Sequence, residues 1–209
     1  MSSSFTFIIF SGLILAGCSR TTELQNSREE IRTLNSPDVF SDSARIQEVV
    51  WHVLDWSQSD SAIVVNPVIE TGGVYLFDKN ELRKNLDRLR LTGFFANEFI
   101  ENYNQIILKL EEKLRSQEFD PWLVGDLPPF KFANDADPWC MCQGFSVEQY
   151  ERVEIVKMDK QSAEGFWRWK QGNSWVDFMF RVSKEHGKWK ISYMQGFDYA
   201  ESIKKDGDN

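Results

Sequence analysis

The chain has 209 residues, with 24 Lys and Arg against 32 Asp and Glu, a net charge of −8, two histidines and three cysteines. An acidic balance of that size argues against nucleic acid as a partner and against electrostatic binding to an anionic lipid surface. Aromatic residues make up 14% of the chain and eight of them are Trp, ample for one packed core. Two histidines far apart in sequence leave little for a metal site, and zinc-ligand spacing, a Gly-rich phosphate loop and a Ser-centred nucleophile elbow are all missing. No metal or other cofactor is expected.

From Phe5 to Ala16 the chain is apolar apart from Thr6, Ser11 and Gly12. About a dozen residues suffice for the core of a signal peptide, whereas a membrane-spanning helix needs about 20. Leu15-Ala16-Gly17-Cys18 closes the run. It resembles the lipobox of bacterial lipoproteins, which implies a signal peptide over 1–17, cleavage before Cys18 and lipidation of its sulfur. Two or more acyl chains, at about 0.8 kcal/mol per buried methylene, give stable anchoring in a membrane leaflet. Ser19 follows the cysteine where an Asp would suggest inner-membrane retention. The expected location is therefore the bacterial cell envelope, on the periplasmic face of the outer membrane if the source is Gram-negative.

Residues 18–41 then read as the lipidated cysteine and a polar tether, with a coil reach of about 25–30 Å. The folded domain is expected over 42–199. Its first helix runs from Asp42, placed as the cap, to Ser57, with Ile46, Val49, Val50, Val53 and Leu54 at helical spacing. Residues 62–77 look extended, interrupted at Asn66-Pro67 and turning at Gly72-Gly73. Asp78 to Glu81 resembles a capping box opening a second helix that carries Leu82, Leu86 and Leu89 and stops near Gly93. A third helix spans about Phe95 to Gln117 and buries Phe95, Phe99, Tyr103, Ile106, Ile107, Leu110 and Leu114. Regular pattern then disappears from Phe119 to Gly144. A structureless stretch of that length is often functional.

From Glu151 onward the hydrophobic period is two. Gly172-Asn173 is a plausible two-residue turn, and choosing it fixes the pairing of the flanking strands. Trp167 then faces Phe178, Trp169 faces Val176, Gly165 faces Phe180 and Ala163 faces Val182, giving one apolar face. On the other face Arg168 meets Asp177, Glu164 meets Arg181, Phe166 meets Met179 and Lys170 meets Trp175, with opposite-charge pairs worth about 0.2–1 kcal/mol each. A last strand from Lys188 to Met194 follows a turn near His186-Gly187 and adds Trp189, Ile191 and Tyr193 to the apolar face. A strand over Val153 to Met158 precedes Ala163, in a register the pattern leaves open. Residues 200–209 read as a polar C-terminal tail.

The expected fold class is α+β, with three N-terminal helices packed on a curved, mostly antiparallel sheet. Ala44 to Asp55, Phe119 to Pro129 and the hairpin ending in Gly187-Lys188-Trp189-Lys190-Ile191 carry a resemblance to bacterial lipoproteins bearing a nuclear-transport-factor-two-like (cystatin-like) cone of unknown function. The resemblance implies a concave sheet holding a pocket against the helices, and no particular activity.

Four sets of residues are candidates for chemistry. His52 and Asp55 are the His–carboxylate pair at helical spacing, the acid–base pair a pocket enzyme would use. Cys18 is the lipidation site. Cys140 and Cys142 face an oxidising compartment, where a local disulfide, buried thiols, intermolecular bridging and soft-metal binding are the alternatives. Phe166, Trp175 and Met179, with Arg168 and Asp177 beside them, form either an ordinary amphipathic outer face or a binding patch. The function that fits is a non-enzymatic module binding an envelope protein or a small apolar ligand. A periplasmic immunity or inhibitor protein against a toxin is the alternative.

Overall fold

The computed structural model describes residues 37–134, 136–142, 150–171 and 173–207. The chain divides into two compact units, Met1–Ser41 and Asp42–Asn209. Cys18, the preceding apolar run and residues 19–36 lie outside the described residues. Among the described residues no helix is long and apolar enough to cross a membrane.

The fold is α+β. Helix α1 spans Pro37–Ser57, and a two-stranded hairpin follows, β1 (Val68–Thr71) and β2 (Val74–Phe77). Helices α2 (Lys79–Thr92) and α3 (Asn97–Arg115) come next. A four-stranded antiparallel meander completes the main sheet: β3 (Tyr150–Met158), β4 (Ser162–Gln171), β5 (Ser174–Glu185) and β6 (Lys188–Met194). A 3-10 turn (Gln195–Phe197) and a short helix α4 (Tyr199–Ser202) end the chain's regular structure.

Helix α1 begins five positions ahead of the expected Asp42 cap. Pro37 opens it, which costs nothing where an N–H has no intrahelical partner. Asp42 is instead an interior residue whose carboxylate takes the Lys184 ammonium of β5 at 2.9 Å. The apolar stripe of α1 is as its spacing predicts, with Ile46, Val50, Val53 and Leu54 buried. Helix α2 is capped by Asp78, which accepts from Asn80 N at 2.8 Å, and ends at Gly93 in the left-handed region.

Two extended stretches differ from expectation. Residues 62–65 form no strand, because their carbonyls are taken by side chains: Asn85 Nδ2 donates to Val64 O (2.7 Å) and Tyr103 Oη to Val65 O (3.0 Å). Phe95 is not helical but lies beside β6, with Ile191 N donating to Phe94 O and Ala96 N to Ile191 O, both at 2.8 Å. That contact covers the edge of β6, which would otherwise present open backbone groups.

In the main sheet the β4–β5 pairing is the predicted one, from Ala163↔Val182 through Trp167↔Phe178 to Trp169↔Val176. Gly165 sits where β4 is crowded, since a Cβ there would lie 2.4 Å from Glu154 O and 2.7 Å from a Phe180 ring carbon. The β5–β6 ladder slips by one residue after Val182↔Ile191, so that Arg181 faces Tyr193 and Phe180 faces Met194. Tyr193 therefore belongs to the outer face, and Met194 takes the buried position expected of it. Strand β3 carries two register shifts against β4, which is why simple alternation does not place it.

Residues 200–207 do not trail away as a tail. Lys131 N donates to Lys204 O and Asp206 N to Pro129 O, each at 3.1 Å, and Ser202 is buried. Trp139 lies in the centre of an aromatic cluster with Trp56, Phe95, Phe99 and Phe197, the nearest ring 4.6 Å away between centroids. On the inner face of the sheet Trp167 packs against Phe178 (4.1 Å) and Phe180 (5.9 Å), all fully buried.

Candidate functional site: an apolar groove along β2

The hairpin is built by Gly72 and Gly73, whose φ of 62° and 84° suit the tight turn that right-handed strand twist favours. Tyr75 N then donates to Trp122 O (2.8 Å) and Val124 N to Gly73 O (3.1 Å), so residues 122–124 lie beside β2 through one antiparallel bridge, Val74 to Leu123. Tyr75 packs on Trp122 at 5.0 Å, and the Trp122 indole is pinned by donating to Asp126 O (2.9 Å). The end of α3 passes the same side. Between them is a mostly apolar groove of about 490 Å³, bounded by Val74, Leu76, Leu114, Pro121 and Trp122, with Glu111, Arg115 and Gln117 as its polar lining. Glu111 is shared by two cations, Lys79 (3.5 Å) and Arg115. Ile69 (paired with Leu76), Leu123 (bridged to Val74) and Val124 are exposed as well.

The residues singled out from sequence are not gathered at one place. His52 and Asp55 are both exposed on α1, without a hydrogen bond or ion pair joining them, and the His52 ring stacks on Phe94 at 5.5 Å. They do not enter the aromatic interior of the domain. On the outer face of the sheet Arg168 grips Asp177 with two bonds of 2.6 and 2.8 Å, and this guanidinium holds the Asp177 carboxyl below the usual range. Phe166 and Met179 face each other across β4 and β5, half-buried, while Trp175 is 49% exposed beside Lys170. Arg181 lies over the Tyr193 ring at 4.3 Å. Burial and the Asp198 carboxylate, which accepts from its hydroxyl at 3.1 Å, push Tyr193 up to about 12.

Cys140 and Cys142 are joined in a disulfide with both sulfurs buried and Met141 looped out at a φ of 53°. Asp137 closes the turn: its carbonyl accepts from Met141 N (2.6 Å) and its carboxylate from Trp139 N (3.0 Å). Burial raises the Asp137 carboxyl, an effect the Trp139 amide opposes. The stapled turn delivers Trp139 into the aromatic cluster, which gives the pair a structural task. Among the described residues no group of three or more His, Cys, Asp and Glu could hold a metal ion.

The groove itself escaped the sequence reading. The Asp120-Pro121-Trp122 passage stands out as irregular, but its pairing with Gly73 and Tyr75 is a contact between distant segments that no local pattern encodes.

No family model and no curated protein matches the chain. A solved structure of a protein of unknown function from Bacteroides thetaiotaomicron aligns with 75% of this chain and 95% of its own, at 19% identity and a TM-score of 0.32.

Proposed function

We propose that the chain is a membrane-tethered envelope lipoprotein whose folded domain is a non-enzymatic binding module, with its ligand site in the groove along β2. The observation that carries this reading is the groove: about 490 Å³ of mostly apolar concavity is in the range of small-ligand sites. Leu76 at its wall is 48% exposed, so a ligand that covers it removes apolar surface from water at about 25 cal/mol per Å². The tether follows from the lipobox-like Leu15 to Cys18. The cone-like reading of the fold is supported by three helices ahead of a four-stranded meander with an aromatic inner face. The separate β1–β2 hairpin and the C-terminal α4 are its departures from that plan.

The test uses the full chain bearing Cys18→Ser, which stays unlipidated, and a neutral environment-sensitive dye such as Nile red. Saturable binding that weakens at least tenfold in Leu76→Glu, with an unchanged circular dichroism spectrum, is the expected result. Equal binding by both proteins refutes the groove as the site.

The half-exposed Trp175, with Phe166 and Met179, favours a second reading in which the outer sheet face meets a protein, as an immunity or inhibitor protein would require. Deletion of the gene with no added sensitivity to toxins of related cells would refute that reading.

A further inference from the structure

The outer side of the β1–β2 hairpin is a small apolar face. Residues paired across antiparallel strands share a face, and so do residues two apart along one strand. Ile69 pairs with Leu76, Val74 lies two positions before Leu76, and Leu123 bridges to Val74, so these four point the same way. Ile69, Leu76 and Leu123 are 52, 48 and 50% exposed, and Val124 next to them is 38% exposed. The remaining hairpin position on this side is Thr71, whereas Glu70 pairs with Tyr75 on the opposite side. The hairpin thus turns an uncharged face to solvent, next to the groove but wider than its lining.

Two observations bear on what covers this face. Its size is the first. Four half-exposed aliphatic side chains offer on the order of 200 Å² of apolar surface, against about 800 Å² per partner in a stable protein interface. A free protein partner or a second copy would gain too little there. A surface held beside the face by a covalent tether needs far less, because docking is then intramolecular. The second is where the rest of the chain joins the domain. Asp42, the first residue of the larger unit, is bonded by Lys184 of β5, and the neighbouring Glu185 accepts from Asn97 N at the start of α3. The apolar face lies at the other end of α3, where Glu111, Leu114 and Arg115 meet Val74 and Leu76 around the groove. The 19 residues of α3 separate the two by about 28 Å. Residues 18–36, read as the tether, have a coil reach of about 25 Å, and effective concentration is highest when reach matches span. We infer that this face rests on the lipid leaflet that holds the acylated Cys18, with Ile69, Leu76 and Leu123 entering the headgroup boundary. The inference rests on the lipid-anchored reading proposed above and adds the surface by which the domain meets its membrane. The net charge of −8 opposes anionic headgroups, so the leaflet this face fits is a zwitterionic one.

The experiment uses the full gene product made in a bacterium, with acylation of Cys18 read by intact mass, inserted into preformed vesicles of phosphatidylethanolamine and phosphatidylcholine. Hydroxyl-radical oxidation of its side chains is mapped by mass spectrometry, relative to a free leucine-containing peptide in the same tube. The full chain bearing Cys18→Ser, in solution, is the comparison. Oxidation of Ile69, Leu76 and Leu123 should fall about threefold on the vesicles, as a face in contact for two thirds of the time requires. Leu91, 85% exposed at the end of α2 away from the hairpin, should not change. Ile69→Glu with Leu123→Glu, neither of which lines the groove, should restore the oxidation of Leu76. In the unlipidated background the same pair should leave circular dichroism and Nile red binding unchanged. If the acylated protein shows no fall at the face, the inference is overturned and the groove reading stands on its own dye-binding result. If Cys18 carries no acyl chain, the anchored reading and the inference fail together. A concentration-dependent fall already present in the Cys18→Ser protein assigns the face to a second copy and overturns the inference, as does an equal fall at Leu91.

Discussion

Replacing Gly165 with Ala should destabilise the fold, although adding a Cβ to a strand glycine ordinarily helps by restricting the unfolded chain, by about 0.4–1 kcal/mol. At this position the new carbon would sit 2.4 Å from Glu154 O, 2.7 Å from Phe180 Cζ and 3.0 Å from Phe180 Cε1. The first neighbour is backbone of β3, and the others belong to a ring that is fully buried against Trp167. Neither can yield without moving a strand or a packed aromatic. Overpacking of a core typically costs about 1–3 kcal/mol. Set against the entropic gain, the net loss should be about 1–2 kcal/mol. Urea unfolding of the full chain, followed by tryptophan fluorescence, should show a lower midpoint at an unchanged slope. Adding Phe180→Leu should recover less than Gly165→Ala loses, because the clash with Glu154 O remains. A Gly165→Ala protein at least as stable as the parent would refute the close approach of β3 and Phe180 to this glycine.

Tyr103→Phe should cost about 1–3 kcal/mol in the same assay, because it removes the donor to Val65 O and a buried partner of Asn85. Cys140→Ser with Cys142→Ser should cost about 1.5 kcal/mol, the entropy of closing so short a loop; the reduced parent should match it in thermal unfolding, and no difference between oxidised and reduced parent would refute the staple. Asp137→Asn should stabilise the protein at neutral pH but not in acid. The folded state raises this carboxyl, so the stability gained by keeping it neutral is present below its unfolded value near 3.8 and is lost as pH rises through the raised folded value. Parallel urea midpoints for parent and variant between pH 3 and 7 would refute that linkage. Asp177 has the opposite sign: its carboxyl is lowered by Arg168, so its contribution is present above the ordinary carboxylate value and fades as pH falls. Being exposed, the pair should leave Arg168→Ala within about 1 kcal/mol of the parent in urea unfolding.

Much of this protein is written in local patterns. The helices follow from apolar residues three and four apart, as in Ile46, Val50 and Val53, and the cap at Asp78 and stop at Gly93 follow from side-chain and backbone geometry within a few residues. The β4–β5 register follows because strand side chains alternate strictly, so once a two-residue turn is chosen, Trp167 must meet Phe178 and Arg168 must meet Asp177. Tertiary structure decided what alternation cannot express. The bulge at Ser192 moves Tyr193 to the outer face and Met194 inward, and β3 shifts twice to follow β4. Asn85 and Tyr103 capture the carbonyls of Val64 and Val65 from residues far along the chain, so an apolar run that resembles a strand never pairs. Asp42, a good cap by its composition, becomes the partner of Lys184. The groove belongs to this second class. Val74, Leu76, Leu114 and Trp122 become one surface only when the hairpin, the end of α3 and the Pro121-Trp122 passage are brought together, and nothing in any one of those segments signals the other two.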